Sequence, residues 1–349
     1  LKNILRSEER LKEVVSDELT EVAKEFGTKR KTLLLEEDSL EEKIASQPLE
    51  VQDTPCFALL SASGRLGKTK DTTPLVKEGR SEHDLLLSSI TTTGRADIGL
   101  LDSQGIIHRI HMLDLPLISA SNETRISLTH GLQAEEIISH THPICLLPLD
   151  TQTSTLAIAT AYGKIKRLNI SSTSKDSWEG ITLEENDYVI GAFLCNDEDE
   201  ISLLSNDGQL LHFSASLVRP QGRTGQGIAG IRLKEGARVI ALGVCPSDDI
   251  SACCVATIAG NSAALAGTEP GSAKITPLDR FPSKGRGTGG VRAQRFLKGE
   301  DVLINGAIGT APLLAMSASG KPLDLPEIEE KRDASGTPLE SFIAHIASI

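Results

Sequence analysis

Ile98-Gly-Leu-Leu-Asp-Ser-Gln-Gly105-Ile-Ile and Ile201-Ser-Leu-Leu-Ser-Asn-Asp-Gly208-Gln-Leu share one plan: an apolar strand, a tight turn closed by glycine, and a second strand. The plan recurs as Phe57-Ala-Leu-Leu-Ser-Ala-Ser-Gly64-Arg-Leu, Leu156-Ala-Ile-Ala-Thr-Ala-Tyr-Gly163-Lys-Ile, Cys254-Val-Ala-Thr-Ile-Ala-Gly260-Asn and Leu313-Leu-Ala-Met-Ser-Ala-Ser-Gly320-Lys-Pro. Asx-Gly and Ser-Gly turns suit tight hairpins because glycine takes the positive φ that strand twist demands. The turn glycines stand 41 to 60 residues apart. That interval fits a four-stranded blade with a variable outer loop and is too long for a leucine-rich repeat. The reading is therefore all-β, a closed or nearly closed ring of about six blades.

Working outward, 349 residues of which 39% are hydrophobic can bury a substantial core, although only 3% are aromatic. Small aliphatic residues in many thin sheets reconcile the two figures. The 48 acidic and 36 basic side chains give a net charge of -12, which excludes coating of nucleic acid by overall charge, so any such contact is local. The six cysteines have no C-x-x-C spacing and lie mostly in apolar runs, so they read as small buried hydrophobes.

Before the repeats, Leu11, Val14, Val15, Leu19, Val22 and Phe26 recur at the three-and-four spacing of one helix face. Ser7 is the predicted N-cap, and Gly27 the predicted left-handed terminator. The stripe is expected to pack on preceding sequence, because the chain opens at Leu1 and reads as an internal piece of a longer cytoplasmic protein. Residues 1–25 hold no apolar run of signal-peptide or membrane length. The expected organisation is a helical arm at 1–35, a polar and acidic linker at 36–50, and the ring at 51–349.

Charge reverses sign in two glycine-rich segments. Residues 280–298 carry Arg280, Lys284, Arg286, Arg292, Arg295 and Lys298 with no acid, and residues 219–238 carry Arg219, Arg223, Arg232, Lys234 and Arg238 against Glu235 alone. Glycine lets backbone N–H groups approach a phosphate while Arg and Lys supply charge. Smaller clusters stand on the second strand of other repeats: Arg65, Lys68 and Lys70; Arg109; and Lys164, Lys166 and Arg167. Equivalent places in a ring share one rim, so these residues are expected to form a continuous basic band for double-stranded DNA. Shape and phosphate contacts are expected rather than base readout. The competing readings are solvated loops on a protein-binding scaffold, for which net acidity argues, and a propeller enzyme with a central channel, for which no cluster of catalytic groups can be placed.

At these residues the chain resembles the A subunit of bacterial type IIA topoisomerases, DNA gyrase and topoisomerase IV. The stretch from Leu1 to Thr32, with Glu18-Leu19, Phe26-Gly27, Arg30 and Thr32, is similar to the end of the helical arm after the breakage-reunion core. The repeats are similar to the C-terminal six-bladed β-pinwheel, and residues 224–240 and 281–301 are the most specific pieces. The resemblance implies a DNA-bending region of an ATP-dependent enzyme built from two A and two B subunits, bacterial and cytoplasmic. ATP and Mg²⁺ are implied to serve the B subunit, with no cofactor in this piece. A gyrase A subunit is expected to carry a Gln-Arg-Arg-Gly-Gly-Lys-Gly heptapeptide in the first blade. Here residues 74–87, PLVKEGRSEHDLLL, lack it and carry Glu78, Glu82 and Asp84; a partly similar string, Gln221 to Gly227, lies in a later blade. This leans toward topoisomerase IV.

The family's DNA-cutting tyrosine is expected to lie outside this chain. Tyr162 and Tyr188, the only tyrosines, have strand-like contexts and are read as core or rim residues. His108 and His111 are expected on opposite strand faces, and His140 and His142 lack a third ligand, so neither pair is read as a metal site.

Overall fold

A computed structural model describes residues 7–27, 53–75, 79–118, 125–138, 141–149, 155–171, 173–265 and 267–348. The chain falls into two compact units, 1–51 and 52–349. In the first, Glu8–Phe26 is an α-helix, α1, whose N-cap Ser7 accepts from the Arg10 N–H and whose first turn holds Glu8 and Glu9. Its termination differs from the left-handed glycine expected. Gly27 is extended, with φ -66 and ψ 128, and its N–H closes the helix on the Ala23 carbonyl. Leu11, Val15, Leu19, Val22 and Phe26 are exposed along one face. Arg30, Thr32 and the proposed linker at 36–50 lie outside the described residues.

The second unit is a ring of six sheets. Its innermost strands, in ring order, are Leu86–Thr93, Pro143–Pro148, Val189–Cys195, Val239–Pro246, Val302–Thr310 and His345–Ser348, each packed on the next, with the last against the first. Outside each lies the hairpin that the repeats announce: Pro55–Ser61 with Arg65–Lys68, Asp97–Asp102 with Ile106–His111, Thr155–Thr160 with Lys164–Asn169, Asp199–Ser205 with Gln209–Ser214, Cys253–Gly260 with Ser272–Pro277, and Leu313–Met316 with Pro322–Leu323. These pairs define blades one to six.

The outermost strand of a blade comes from the following repeat. Leu132–Gln133 completes blade one, Ser177–Glu179 blade two, Pro220–Gln221 and Ile228–Ala229 blade three, Val291–Arg292 blade four and Thr337–Pro338 blade five. The hairpin glycine marks each junction. The carbonyls of Gly64, Gly105, Gly163, Gly208, Gly271 and Gly320 accept N–H groups of Ala134, Gly180, Gly230, Ala293, Leu339 and His83, at 2.8–2.9 Å. All six glycines have φ between 71 and 87, where a side chain is strained. In the sixth junction the first repeat reaches the last. Arg80 donates to both carboxylate oxygens of buried Asp84 and to the Ala315 carbonyl.

Blade five departs from the expected plan. Gly260 ends a strand, and the positive-φ junction glycine is Gly271, so a loop replaces the tight hairpin. Five apolar clusters lie between consecutive blades, for example Ala157, Ala159 and Ile165 against Ile201, Leu203 and Phe213. A core divided into such thin layers needs few aromatic rings. All six cysteines are buried with free thiols.

Candidate nucleic-acid interface

On the second strand of a blade, the fourth residue after the junction glycine sits where the next repeat passes over the sheet. In four consecutive blades it is basic, and in all four it is used internally. Lys68 donates to the Met112 carbonyl, and Arg109 to those of Thr173 and Lys175 and to Asp97 Oδ2. Arg167 donates to Ala215 and Val218 and pairs with Asp197 at 2.6 Å. His212 meets the Phe281 carbonyl at 2.8 Å and Glu200 at 2.9 Å. Burial lowers the His212 pKa, but the Glu200 carboxylate and the Phe281 carbonyl outweigh it and hold the value above 6.5.

These placements correct the second-strand part of the expected basic band. Arg167 is 2% exposed and Lys166 is 0% exposed. Lys166 Nζ is surrounded by the carbonyls of Gly180, Arg223 and Gly225 at 2.7–2.9 Å. Burial pushes this ammonium down to about 8, offset in part by Glu179. Neither side chain can reach a phosphate. Arg65 is half-buried on the Thr129 carbonyl and Lys164 is paired with Glu184, whereas Lys70 is exposed. Composition carries no warning of this, because a lysine turned into a sheet and one turned to water look alike without their neighbours. The available signal is the apolar pair Ile165 and Leu168 bracketing Lys166-Arg167, with all four buried.

The two glycine-rich segments are placed differently. Both run along the outer edge, one over blade three and the other over blade four, and they are stitched together: Gly287 N–H donates to Gly230 at 2.7 Å, Arg232 N–H to Thr288 at 3.0 Å, and the Arg286 guanidinium to Ala229 at 2.6 Å. Arg219, Arg232, Lys284 and Arg292 are exposed on this edge and, among the described residues, make no side-chain hydrogen bond or ion pair. Arg223 is half-buried against Ser171, and Arg295 faces Asp333 at 3.8 Å. A Cβ added at Gly222 or Gly289 would meet nothing within 4 Å, so the backbone there is open to a ligand.

The equivalent edge of blade five is acidic. Glu327, Glu329, Glu330, Asp333 and Glu340 stand there against Lys331 and Arg332, and Glu330 binds Arg280 at 2.5 Å. The exposed cations thus form an arc over blades three and four rather than a continuous band.

Tyr162 lies in a hairpin turn under Arg238, 4.5 Å from its guanidinium, and Tyr188 is exposed before a strand begins, so neither is within a strand as expected. His108 binds Asp102 and His111 binds Asp97. His140 lies outside the described residues. No group of three or more metal-ligating side chains occurs among the described residues. No described helix is long and apolar enough to cross a membrane.

Exchanged outer strands around a closed ring define a six-bladed propeller, and the edge of blades three and four is basic. Residues 179–196, 199–246 and 265–306 match the family described as DNA gyrase C-terminal domain, beta-propeller. The gyrase A protein of Staphylococcus epidermidis (strain ATCC 12228 / FDA PCI 1200) is 25% identical over 371 residues, covering 100% of this chain and 40% of that protein. Its counterpart in Staphylococcus aureus (strain MRSA252) is 26% identical over 373 residues with the same coverage. The chain thus spans about two fifths of the length of these relatives. Among solved structures, the C-terminal domain of DNA topoisomerase IV superposes with a TM-score of 0.66 at 15% identity, over 85% of this chain and 94% of that one. The DNA gyrase A C-terminal domain gives 0.57 at 18%, over 84% and 99%. The ring has the fold of the C-terminal domains of DNA topoisomerase IV and DNA gyrase A.

Proposed function

We propose that the ring binds and bends double-stranded DNA by its backbone, as the C-terminal region of a type IIA topoisomerase A subunit, guiding a segment toward strand passage. The observation that carries this reading is the arc of Arg219, Arg232, Lys284 and Arg292, exposed beside open glycine backbone in a chain that is acidic overall. Such an arc favours local phosphate contact over general attraction. In the complete enzyme the partners are two B subunits, which use ATP and Mg²⁺, together with a second copy of the A subunit. The setting is the bacterial cytoplasm.

Relaxation and decatenation without negative supercoiling is the activity we favour for that enzyme. In support, the described part of residues 74–87 carries no run of basic residues, and Arg80, Asp84 and His83 are engaged in closing the ring. The gyrase reading is favoured by the names of the sequence relatives. A relaxed-plasmid reaction run beside a decatenation reaction, with the A and B subunits joined, tests the two. Decatenation without supercoiling is expected, and efficient ATP-dependent supercoiling would replace this reading with gyrase. Salt titration of duplex binding by this chain tests the DNA reading itself; salt-insensitive affinity would favour the protein-scaffold alternative.

A further inference from the structure

Residues 222–225 form a turn in which the Gly225 N–H donates to the Gly222 carbonyl at 3.3 Å. Three successive carbonyls point inward: Arg223 and Gly225 accept from Lys166 Nζ, and Thr224 accepts from Thr182 Oγ1 at 3.2 Å. The Gly225 carbonyl also accepts the Thr182 N–H at 3.3 Å. With the carbonyls drawn in, the N–H groups of Arg223, Thr224 and Gln226 make no hydrogen bond among the described residues, and Thr224 and Gln226 are exposed. Backbone N–H groups left without a protein partner in a glycine-containing turn are donors for an anion. The arc's own cations, Arg219 and Arg232, belong to the same segment.

We propose that Lys166 is a positioning residue for an anion site made by the N–H groups of Arg223, Thr224 and Gln226, and that its occupant is a backbone phosphate of duplex DNA. The proposal rests on the DNA-binding reading above. The buried ammonium never touches the phosphate. It supplies three donors on a fixed point, as only a lysine can, and thereby keeps the carbonyl dipoles of the loop away from the bound charge. Blade five provides an internal control. Lys274, at the same place in its repeat, holds the Lys331 and Arg332 carbonyls in the same manner, but under an acidic edge. Both lysines carry the burden of a buried charge, so substitution at either tests folding equally; only Lys166 stands beneath exposed arginines.

The test uses the whole chain and a short duplex, read by salt-dependent affinity and by hydrogen exchange. Lys166→Met is expected to weaken binding about tenfold and to make the slope of log affinity against log salt shallower by about 0.9, one phosphate contact. Lys274→Met is expected to leave both unchanged, and Lys166→Arg to restore part of the loss. In the unaltered protein, duplex DNA is expected to slow exchange of the Thr224 and Gln226 amides, a readout that stands even if Lys166→Met fails to fold. Equal affinity for Lys166→Met and the unaltered chain, or no protection of these amides by DNA that does bind, would overturn the proposal. Failure of the underlying reading looks different: Arg219→Ala with Arg232→Ala would then leave affinity unchanged as well.

Discussion

The outer edges of blades three and five are built from the same segment of the repeat, yet they differ in what they offer solvent. Each is tied to its sheet through the carbonyl of a junction glycine, Gly163 or Gly271, and each is held from beneath by a buried lysine, Lys166 or Lys274. Over blade three the exposed charged side chains include Arg219 and Arg232; over blade five they include Glu327, Glu329 and Glu330, with Lys331 beside them. Charge beneath the edge is therefore a property of the scaffold, whereas charge on it is specific to the blade. A basic residue in a repeat says little about nucleic acid until its side of the sheet is known.

The sharpest way to break this distinction is to remove a scaffold cation and look for an effect on DNA. Arg167→Ala leaves the Ala215 and Val218 carbonyls without their donor, and each buried polar group left unsatisfied costs about 1–3 kcal/mol. Urea unfolding is expected to show a loss of that order, while the salt slope of the folded fraction stays unchanged. Replacing Arg219, Arg232 and Arg292 together by Ala should do the reverse. Stability is expected to move by less than about 0.5 kcal/mol, as is usual for surface changes. The salt slope is expected to become shallower by about 2.7, three contacts at 0.9 each. If both variants lose DNA and stability in proportion, the separation between scaffold and edge is wrong.

A smaller effect is expected from reversing the acidic edge. Glu327→Lys with Glu329→Lys would extend the arc onto blade five, and a measurable gain in affinity for a long duplex but none for a short one would show that the arc's length limits the wrap. The smallest effect concerns His212. Its folded pKa is raised, so its contribution is fully present below 6.5 and is lost as pH rises through the folded value. Unfolding experiments across that interval are expected to show stability declining with pH, and His212→Gln is expected to abolish that component.

The hairpins of five blades were legible because a glycine at positive φ leaves a fixed mark between two apolar runs. The fifth was misplaced because its glycine pair, Gly260 and Gly271, brackets a loop, and only backbone conformation shows which one closes the junction. Strand exchange between repeats was not legible at all. Two-residue strands such as Val291–Arg292 carry too little pattern, and their partners, Gln209 and Leu210, are far away in sequence. At the site, the glycine-rich segments announced themselves by composition. Lys166, Arg167 and Lys68 were misread because their carbonyl partners belong to segments whose position depends on the exchange.

Exchange also sets the order in which the ring can be finished as the chain is made. Blade one gains its outer strand only when Leu132 and Gln133 have been synthesised, blade two only with Ser177 to Glu179, and so on around the ring. Each sheet spends an interval with one bare edge, a state that invites pairing with another chain. The last junction is the reverse: the segment from Arg80 to Asp84 exists from early in synthesis but has no partner until Ala315 and Gly320 emerge. Closure therefore joins residues more than two hundred positions apart, and contacts of that span are slow to form. A ribosome stalled before Ala315 would hold a fifth blade still lacking Thr337–Pro338 and a first blade still unlatched, which limited proteolysis near Arg80 would reveal.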